Sequence, residues 1–564
     1  MKTIIHSYCP QAKEAARIAT ERLRPLTGEN DSPETLQLDF IRESRDGFRL
    51  DVGAENVRIG AAGTRDFIAG VGLLLTIIRA SSDTGQWPAG QYTKTPRFPH
   101  RIHYMPGHFG NPFEVAWPGE MQHYLDDLAL WGASGYADWF DPNDMPDPFS
   151  PHVYCSTSMT LWQRKKEFLR QANRLGLDTS LCVAHNVGFV DQMRPEWMGV
   201  RSLKHRVQGQ VLCPSIPEAR AVCLRNHENL FADLAESGIE LNTVFYNPYD
   251  DGGCACDKCQ PYFPTFLKML PEIHAVAQRY FPNIKADLCG WWMEDDEIRQ
   301  IAEFVKGPAK DWFRTFQVSV AYEAFGGSKA ESVLKGFPQS IFFHIGYSHD
   351  KRDVYLTSGI HSAPLRIQKV IGGLEEQGSC GFITYNESFG DHYNQFLCTR
   401  LACEPEADPR ELTCDYCRQM YGLSGKNLDT LAGILQEMEY LEPEKAEGWA
   451  NELARLRPLI TVPEQQPWAF EHLALKADLM ALDHRIGSGK NWQSRTDIDP
   501  VLPLIEKRLA LSERLWRVVY GLGILRHIFI PTFMMPEWYQ PYAKQFLPSE
   551  NRLKPDFVRV SQNA

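Results

Sequence analysis

Apolar positions recur at two spacings along this chain, and the change from one to the other divides it. Near the start, period-two alternation marks strands over Thr3 to Ser7, Thr35 to Ile41, Gly47 to Val52 and Asn56 to Ala61, while helical spacing marks Gln11 to Leu23 and Thr64 to Ile78. Gly70 and Gly72 inside the second helix permit a close neighbour. These elements make a compact α/β unit. The stretch Gly85 to Pro99, with three Pro, two Gly and almost no periodicity, reads as the linker out of it.

From Arg101 onward strand-like apolar runs alternate with helical patterns, the order of a parallel barrel or sheet. Eight strands are expected, at Arg101 to Met105, Gly135 to Phe140, Thr179 to Ala184, Leu241 to Tyr246, Ala286 to Trp292, Phe316 to Ala321, Ile341 to Gly346 and Gly381 to Tyr385. The clearest helix is Gly119 to Trp131, where Met121, Leu125, Leu128 and Trp131 share one face, with Gln122, Asp126 and Asp127 opposite. It is expected to cover the barrel wall. Long polar and aromatic inserts after the second and third strands suit loops at the carboxyl face of a barrel. Beyond Phe396 the pattern is helical to about Leu525, as in Leu428 to Leu441 and Leu502 to Val519. The fold class predicted is α/β: a small α/β N-terminal domain (1–95), a (β/α)8 TIM barrel (96–400) and a C-terminal α-helical region (401–564).

Composition narrows the function. A formal charge of −12 without a clustered basic footprint excludes nucleic acid as partner and favours a neutral or weakly charged ligand. Several of the 14 Trp stand beside Gly, Asn and Asp in expected loops, where their rings suit the faces of sugars, although burial explains most Trp in any protein. The longest apolar run, Val71 to Ile78, is about half of a membrane span, so no membrane partner is expected. Met1 to Tyr8 lacks the apolar run of a secretory signal, which makes the cytoplasm the expected compartment and leaves the 14 Cys mostly reduced. A homo-oligomer is compatible with all of this. Neither a P-loop nor a dinucleotide-binding fingerprint is present, so no cofactor is expected for catalysis.

In such a barrel the chemistry stands just past the carboxyl ends of the strands. Those positions hold His108 and Asn111, Asp138 and Asp141, His185 and Asn186, Asn247 with Asp250 and Asp251, Trp291, Trp292 and Glu294, Tyr322 and Glu323, His344 and Tyr347, and Tyr385, Asn386, Glu387 and Asp391. The sharpest signal is Asp250-Asp251, directly after the fourth apolar run. Two carboxylates forced together in a cleft raise the pKa of at least one, which keeps a proton available for a leaving group. Asp-Asp-Gly-Gly is also good turn chemistry. His185 and His344 read equally as packed core histidines, and only one of Trp291 and Trp292 is expected to touch ligand, since strand neighbours face opposite ways. Just beyond lie Cys254, Cys256 and Cys259, a spacing that suits a tetrahedral metal with Cys213 as fourth ligand; the alternative is thiols that merely pack. Thiolate-only ligation would make a zinc there structural.

The front text Gly47-Phe48-Arg49-Leu50-Asp51-Val52 and Val57-Arg58-Ile59-Gly60-Ala61-Ala62, a barrel opening near Pro99-His100-Arg101, the Asp pair and the CxCxxC segment together resemble the retaining β-N-acetylhexosaminidase superfamily. That group includes the chitobiase-type hexosaminidases, the O-GlcNAcases and a former unknown-function family with endo-β-N-acetylglucosaminidase activity. The resemblance implies release of β-linked GlcNAc or GalNAc from a carbohydrate substrate by substrate-assisted catalysis, in which the sugar's own acetamido oxygen attacks the anomeric carbon. It implies that Asp250 orients the acetamido group and Asp251 serves as acid and base, with the order of the two open. It further implies that Trp291 or Trp292, Tyr322 and Tyr385 wall the pocket, and that Arg101, Asn247, Asn386 and Glu387 bond sugar hydroxyls; His185, His344 and Tyr347 join them as substrate-binding candidates. The chitobiase type carries Asp-Glu where this chain has Asp-Asp. Competing readings are an α-glucuronidase-like or other glycosidase on the same scaffold, pairing Asp251 with Glu387, and a carbohydrate-binding barrel without catalysis.

Overall fold

The computed structural model describes residues 2–27, 35–82, 87–107, 111–140, 145–200, 210–248, 253–291, 293–320, 336–345, 360–463, 466, 468–486 and 499–520. Its first part is a five-stranded sheet of β1 (Lys2–Ser7), β2 (Thr35–Arg42), β3 (Phe48–Val52), β4 (Asn56–Ala61) and β5 (Gly90–Lys94), in the order β1-β2-β4-β3-β5. Alternation decides which face is buried: Phe48, Leu50 and Val52 on β3 and Val57, Ile59 and Ala61 on β4 all point into the core. Two helices cover that face, α1 (Lys13–Thr27) and α2 (Thr64–Ser82). Strand β5 lies inside the stretch expected to be a linker; it pairs antiparallel with β3 as an edge strand. Its pattern is hard to read because an edge strand of five residues offers only one large apolar side chain, Tyr92.

All eight strands expected from Arg101 onward form, and they close into a parallel barrel. They are β6 (His100–Tyr104), β7 (Gly135–Trp139), β8 (Asp178–Val183), β11 (Thr243–Tyr246), β12 (Lys285–Cys289), β13 (Phe313–Val320), β14 (Gln339–His344) and β15 (Gly381–Tyr385), with the short antiparallel pair β9 (Val187–Gly188) and β10 (Gln210–Val211) outside the barrel. Closure brings β15 beside β6, and Gly381 is required there: a Cβ on it would stand 1.9 Å from the carbonyl oxygen of His100. Inside the barrel Ile102, Tyr104, Ala137, Trp139, Cys182, Phe245, Cys289, Phe342 and Ile383 pack into one cluster. Their strand neighbours, such as Tyr136, Leu181, Val244, Leu288, Phe343 and Phe382, face the surrounding helices. Toward the amino end the interior turns polar, where Asp287 accepts hydrogen bonds from Arg314, Thr315 and Gln317.

The helices that matter for the site are α3 (Pro112–Val115), α4 (Pro118–Trp131), α5 (Ser156–Arg174), α6 (Pro217–Glu236), α7 (Tyr262–Tyr280) and α8 (Asp295–Lys306). Helix α4 has the expected apolar face, but its opposite face is not solvated, since Asp126 and Asp127 are fully buried. Both meet the front domain: Arg17 grips Asp126 with two nitrogens at 2.8 and 3.1 Å, and Arg22 reaches Asp127 at 2.9 Å. Burial pushes the pKa of Asp126 up to about 6 against the pull of Arg17. For Asp127 burial acts in the same direction, yet Arg22, His392 and Gln466 outweigh it and hold the carboxyl below its ordinary range. His392 Nε2 lies 3.4 Å from this carboxylate and Gln466 donates to it at 2.7 Å, so one side chain joins the front domain, the helix His392–Cys403 and the C-terminal helices. The expected close-packing role of the α2 glycines is visible too: Gly70 lies over Ile59, and Gly72 sits where a Cβ would stand 1.8 Å from the carbonyl oxygen of Leu130.

The tail continues as helices Pro409–Tyr421, Gly425–Glu437, Ala446–Leu456, Trp468–Ile486 and Leu502–Tyr520. Trp468 stacks on Phe389 at 5.2 Å, which anchors the tail to the end of the barrel. Among the described residues no helix is long and apolar enough to cross a membrane.

Two outcomes follow for stability. Gly72→Ala should cost about 1–3 kcal/mol through overpacking against α4, whereas Gly63→Ala, with nothing within 4 Å, should be close to neutral; urea unfolding midpoints of the two variants decide it. Asp127→Ala should cost about 3–5 kcal/mol, the range for breaking a buried ion pair, and a loss below about 1 kcal/mol would show that the pairing carries little of the fold.

Candidate functional site at the carboxyl end of the barrel

Strand parity sorts the expected site residues. Because Phe245, Cys289, Phe342 and Ile383 point inward, so by period two do Asn247, Trp291, His344, Tyr385 and Glu387. They bring together a contiguous aromatic cluster, buried at His344, Tyr104 and Phe245 and partly exposed at Trp291 and Tyr385. Trp291 lies 4.4 Å from the His344 ring, His344 lies 5.2 Å from Tyr385, and Tyr385 lies 5.9 Å from Tyr104, which in turn meets Phe245 edge-on at 4.9 Å. The Tyr385 hydroxyl donates to the Glu387 carboxylate, placing an acidic group at the edge of these rings. Asn247 ends β11 with its Oδ1 buried and, among the described residues, without a hydrogen-bond partner, an acceptor that a ligand hydroxyl or amide can satisfy. The partly exposed Trp291 and Tyr385, with a carboxylate and an amide nearby, are groups of the kind that stack on the C–H face of a pyranose and bond its hydroxyls.

Glu387 is held from behind. Its backbone N–H and that of Ser388 both donate to Asp391 Oδ2, at 2.8 and 3.3 Å, and burial pushes Asp391 up to about 7. Asn386, of the opposite parity, spends its amide nitrogen on the carbonyl of Tyr104 and the hydroxyl of Thr384, each at 2.8 Å, and so laces β15 to β6; its Oδ1 is buried without a partner among the described residues.

Asp250 and Asp251 lie outside the described residues, as do Trp292, Tyr322 and Tyr347 among the pocket candidates and His108, Asp141 and Glu323 among the other strand-end positions. What the structure does place is each end of the acidic segment. Asn247 and Pro248 leave β11 on one side, and on the other Gly253 is tied to Asn186 by a reciprocal pair, N–H to Oδ1 and Nδ2 to carbonyl, both 2.9 Å. Asn186 is fully buried, donates again to the Leu212 carbonyl at 2.8 Å and accepts from the Tyr262 hydroxyl at 3.1 Å. This tether was not legible in the sequence: Asn186 followed a strand, but nothing in its neighbourhood marked a backbone partner far along the chain. Immediately after Gly253, the thiols of Cys254, Cys256 and Cys259 gather with that of Cys213, all four sulfurs within 4.8 Å of one another.

Two pocket candidates are corrected. Arg101 is the second residue of β6, at the amino-terminal end of the barrel; it is 2% exposed and its guanidinium donates to the carbonyls of Gly132, Phe98 and Pro99, so it braces the junction with the front domain and does not reach the mouth. His185 follows Ala184 and Cys182 with outward parity; it is buried against α7, 4.7 Å from the Phe266 ring with Nε2 2.5 Å from the Tyr262 hydroxyl. The strand-end Asp138 also faces outward, in a buried pair with Lys165 at 2.9 Å on α5.

No family model and no curated protein matches the sequence. The fold, in contrast, matches solved structures. CpGH89 from Clostridium perfringens, in complex with GlcNAc-alpha-1,4-galactose, superposes with a TM-score of 0.59 at 12% identity, over 95% of this chain and 69% of that one. A GH138 enzyme targeting pectin rhamnogalacturonan II gives 0.57 at 10% identity, over 92% of this chain and 74% of that one. A Streptomyces plicatus β-hexosaminidase gives 0.51 at 14% identity, over 77% of this chain and 91% of that one. The chain thus has the fold of these glycoside hydrolases, a TIM barrel preceded by a small sheet domain.

Proposed function

We propose that this protein is a glycoside hydrolase that releases β-linked N-acetylhexosamine, GlcNAc or GalNAc, by substrate-assisted retaining catalysis. The observation that carries the reading is the mouth of the barrel: Trp291 and Tyr385, partly exposed, pack on the buried ring of His344 with Glu387 beside Tyr385, and the segment bearing Asp250 and Asp251 lies in the chain between Asn247, which ends β11, and the Asn186-bound Gly253. In this mechanism the 2-acetamido oxygen attacks the anomeric carbon and gives an oxazoline, so the enzyme supplies no nucleophile. Asp250 orients and polarises the acetamido N–H. Asp251 protonates the departing glycosidic oxygen and then draws a proton from the attacking water. Adjacent carboxylates favour this division, since the charge on one keeps a proton on the other.

A second reading is favoured by Glu387. Strands β11 and β15 stand four places apart round the closed barrel, so Glu387 faces the β11 side across the mouth. Paired with Asp251, it would serve an α-glucuronidase-like or other glycosidase acting without acetamido assistance.

A panel of nitrophenyl glycosides separates the two: turnover confined to N-acetylhexosaminides supports the first reading, and turnover of uronides removes it. Under the first reading Asp250→Asn lowers kcat by about 10²–10⁴-fold on every substrate, while Asp251→Asn loses most on substrates with poor leaving groups. Wild-type rates in both variants would take the pair out of the mechanism. The thiazoline analogue of the oxazoline should inhibit more tightly than product N-acetylhexosamine binds, and weaker inhibition counts against acetamido participation.

A further inference from the structure

Four of the 14 cysteines converge from two distant segments. Cys213 precedes α6, and Cys254, Cys256 and Cys259 lie between the acidic segment and α7. Cys213, Cys254 and Cys259 are 4%, 0% and 0% exposed, and Cys256 is half-buried. Cys213 Sγ stands 3.8 Å from Cys256 Sγ and 3.7 Å from Cys259 Sγ. These are not disulfide distances, which are about 2.05 Å. They do equal the edge of a tetrahedron whose centre is about 2.3 Å from each corner, the zinc–thiolate bond length, which gives sulfurs about 3.8 Å apart. The surroundings are those of a bound thiolate group as well. The Ser215 hydroxyl lies 2.9 Å from Cys259 Sγ, the Ser215 N–H is directed at Cys213, and the N–H groups of Lys258 and Cys259 are directed at Cys256. Donors aimed at sulfur disperse the charge that four thiolates around a divalent cation would carry.

We propose that Cys213, Cys254, Cys256 and Cys259 bind one Zn²⁺ as four thiolates. Binding releases the four thiol protons to solvent and leaves the ion no open position, so the site is structural. Its place in the chain gives it a task. Cys254 directly follows Gly253, so the metal and Asn186 together fix where the acidic segment ends: the ion cross-links that segment to Cys213, and Asn186 ties the same point to the end of β8. This second part rests on the catalytic reading of Asp250 and Asp251; the metal assignment does not.

The test uses the full chain, purified without added metal or chelator. Elemental analysis should give close to one zinc per chain, and refolding with Co²⁺ should give the visible d–d bands and near-ultraviolet sulfur-to-cobalt charge transfer of a tetrahedral thiolate site. Cys213→Ser and Cys256→Ser should each lose the zinc and the cobalt spectrum, while Cys414→Ser, on a helix of the tail, keeps both. A soluble wild-type chain with all thiols reactive and no zinc, a disulfide among the four cysteines, or iron in place of zinc would each overturn the assignment. One zinc per chain in a protein that cleaves no glycoside supports the metal site while removing the hydrolytic reading. In an active enzyme, chelation at a temperature where the chain stays folded should lower kcat for N-acetylhexosaminides at least tenfold, and unchanged kcat in zinc-free folded protein would sever the metal from the acidic segment.

Discussion

The closure of parallel strands into a ring governs the rest of this molecule. Every strand of a closed parallel barrel must enter from the same end, so every carboxyl terminus emerges at the other, and side chains from distant parts of the chain are forced to share one opening. Trp291, His344, Tyr385 and Glu387 meet there although almost a hundred residues separate the first from the last. No local interaction arranges this. Hydrogen-bond register and strand parity do it together, and the same constraint commits the opposite end to a different purpose, where Arg314 pairs with Asp287 and Arg101 binds backbone carbonyls.

Parity also explains what could be read from the chain in advance and what could not. The barrel strands were legible because strands buried on both faces appear as short apolar runs bounded by turns. Cys254, Cys256 and Cys259 were legible as a cluster from their spacing, whereas Cys213, which the structure brings to them, was a choice that spacing did not single out. Arg101 misled because it stands at the start of its strand, at the amino end of the barrel, whereas Asp138 and His185 misled for another reason. When both faces of a strand are buried, residue type does not reveal which side is inward, and a shift of one position moves a polar group from the mouth to a helix. Asp138 found Lys165 there and His185 found Tyr262. Asp126 and Asp127 misled differently, since a charged helical face normally means water, and here the front domain supplies arginines in its place.

Two buried side chains fix loop backbone at the carboxyl end of the barrel. Asn186 imitates a backbone strand partner for Gly253, and Asp391 gathers two amides behind Glu387. Each converts a loop position into one defined by the barrel wall.

The buried carboxylate of Asp127 has a bearing on how the chain is divided. Arg22, from the front domain, contacts Oδ1, while His392, from the last barrel helix, and Gln466, from the tail, contact Oδ2. Arg22 carries the charge that balances this carboxylate, while burial lowers the pKa of His392 and Gln466 is an uncharged amide, so removing the front domain takes away the counter-ion and removing the tail takes away a hydrogen bond. The front domain, the barrel and the tail thus share one buried group, and a cut at either border removes one of its partners.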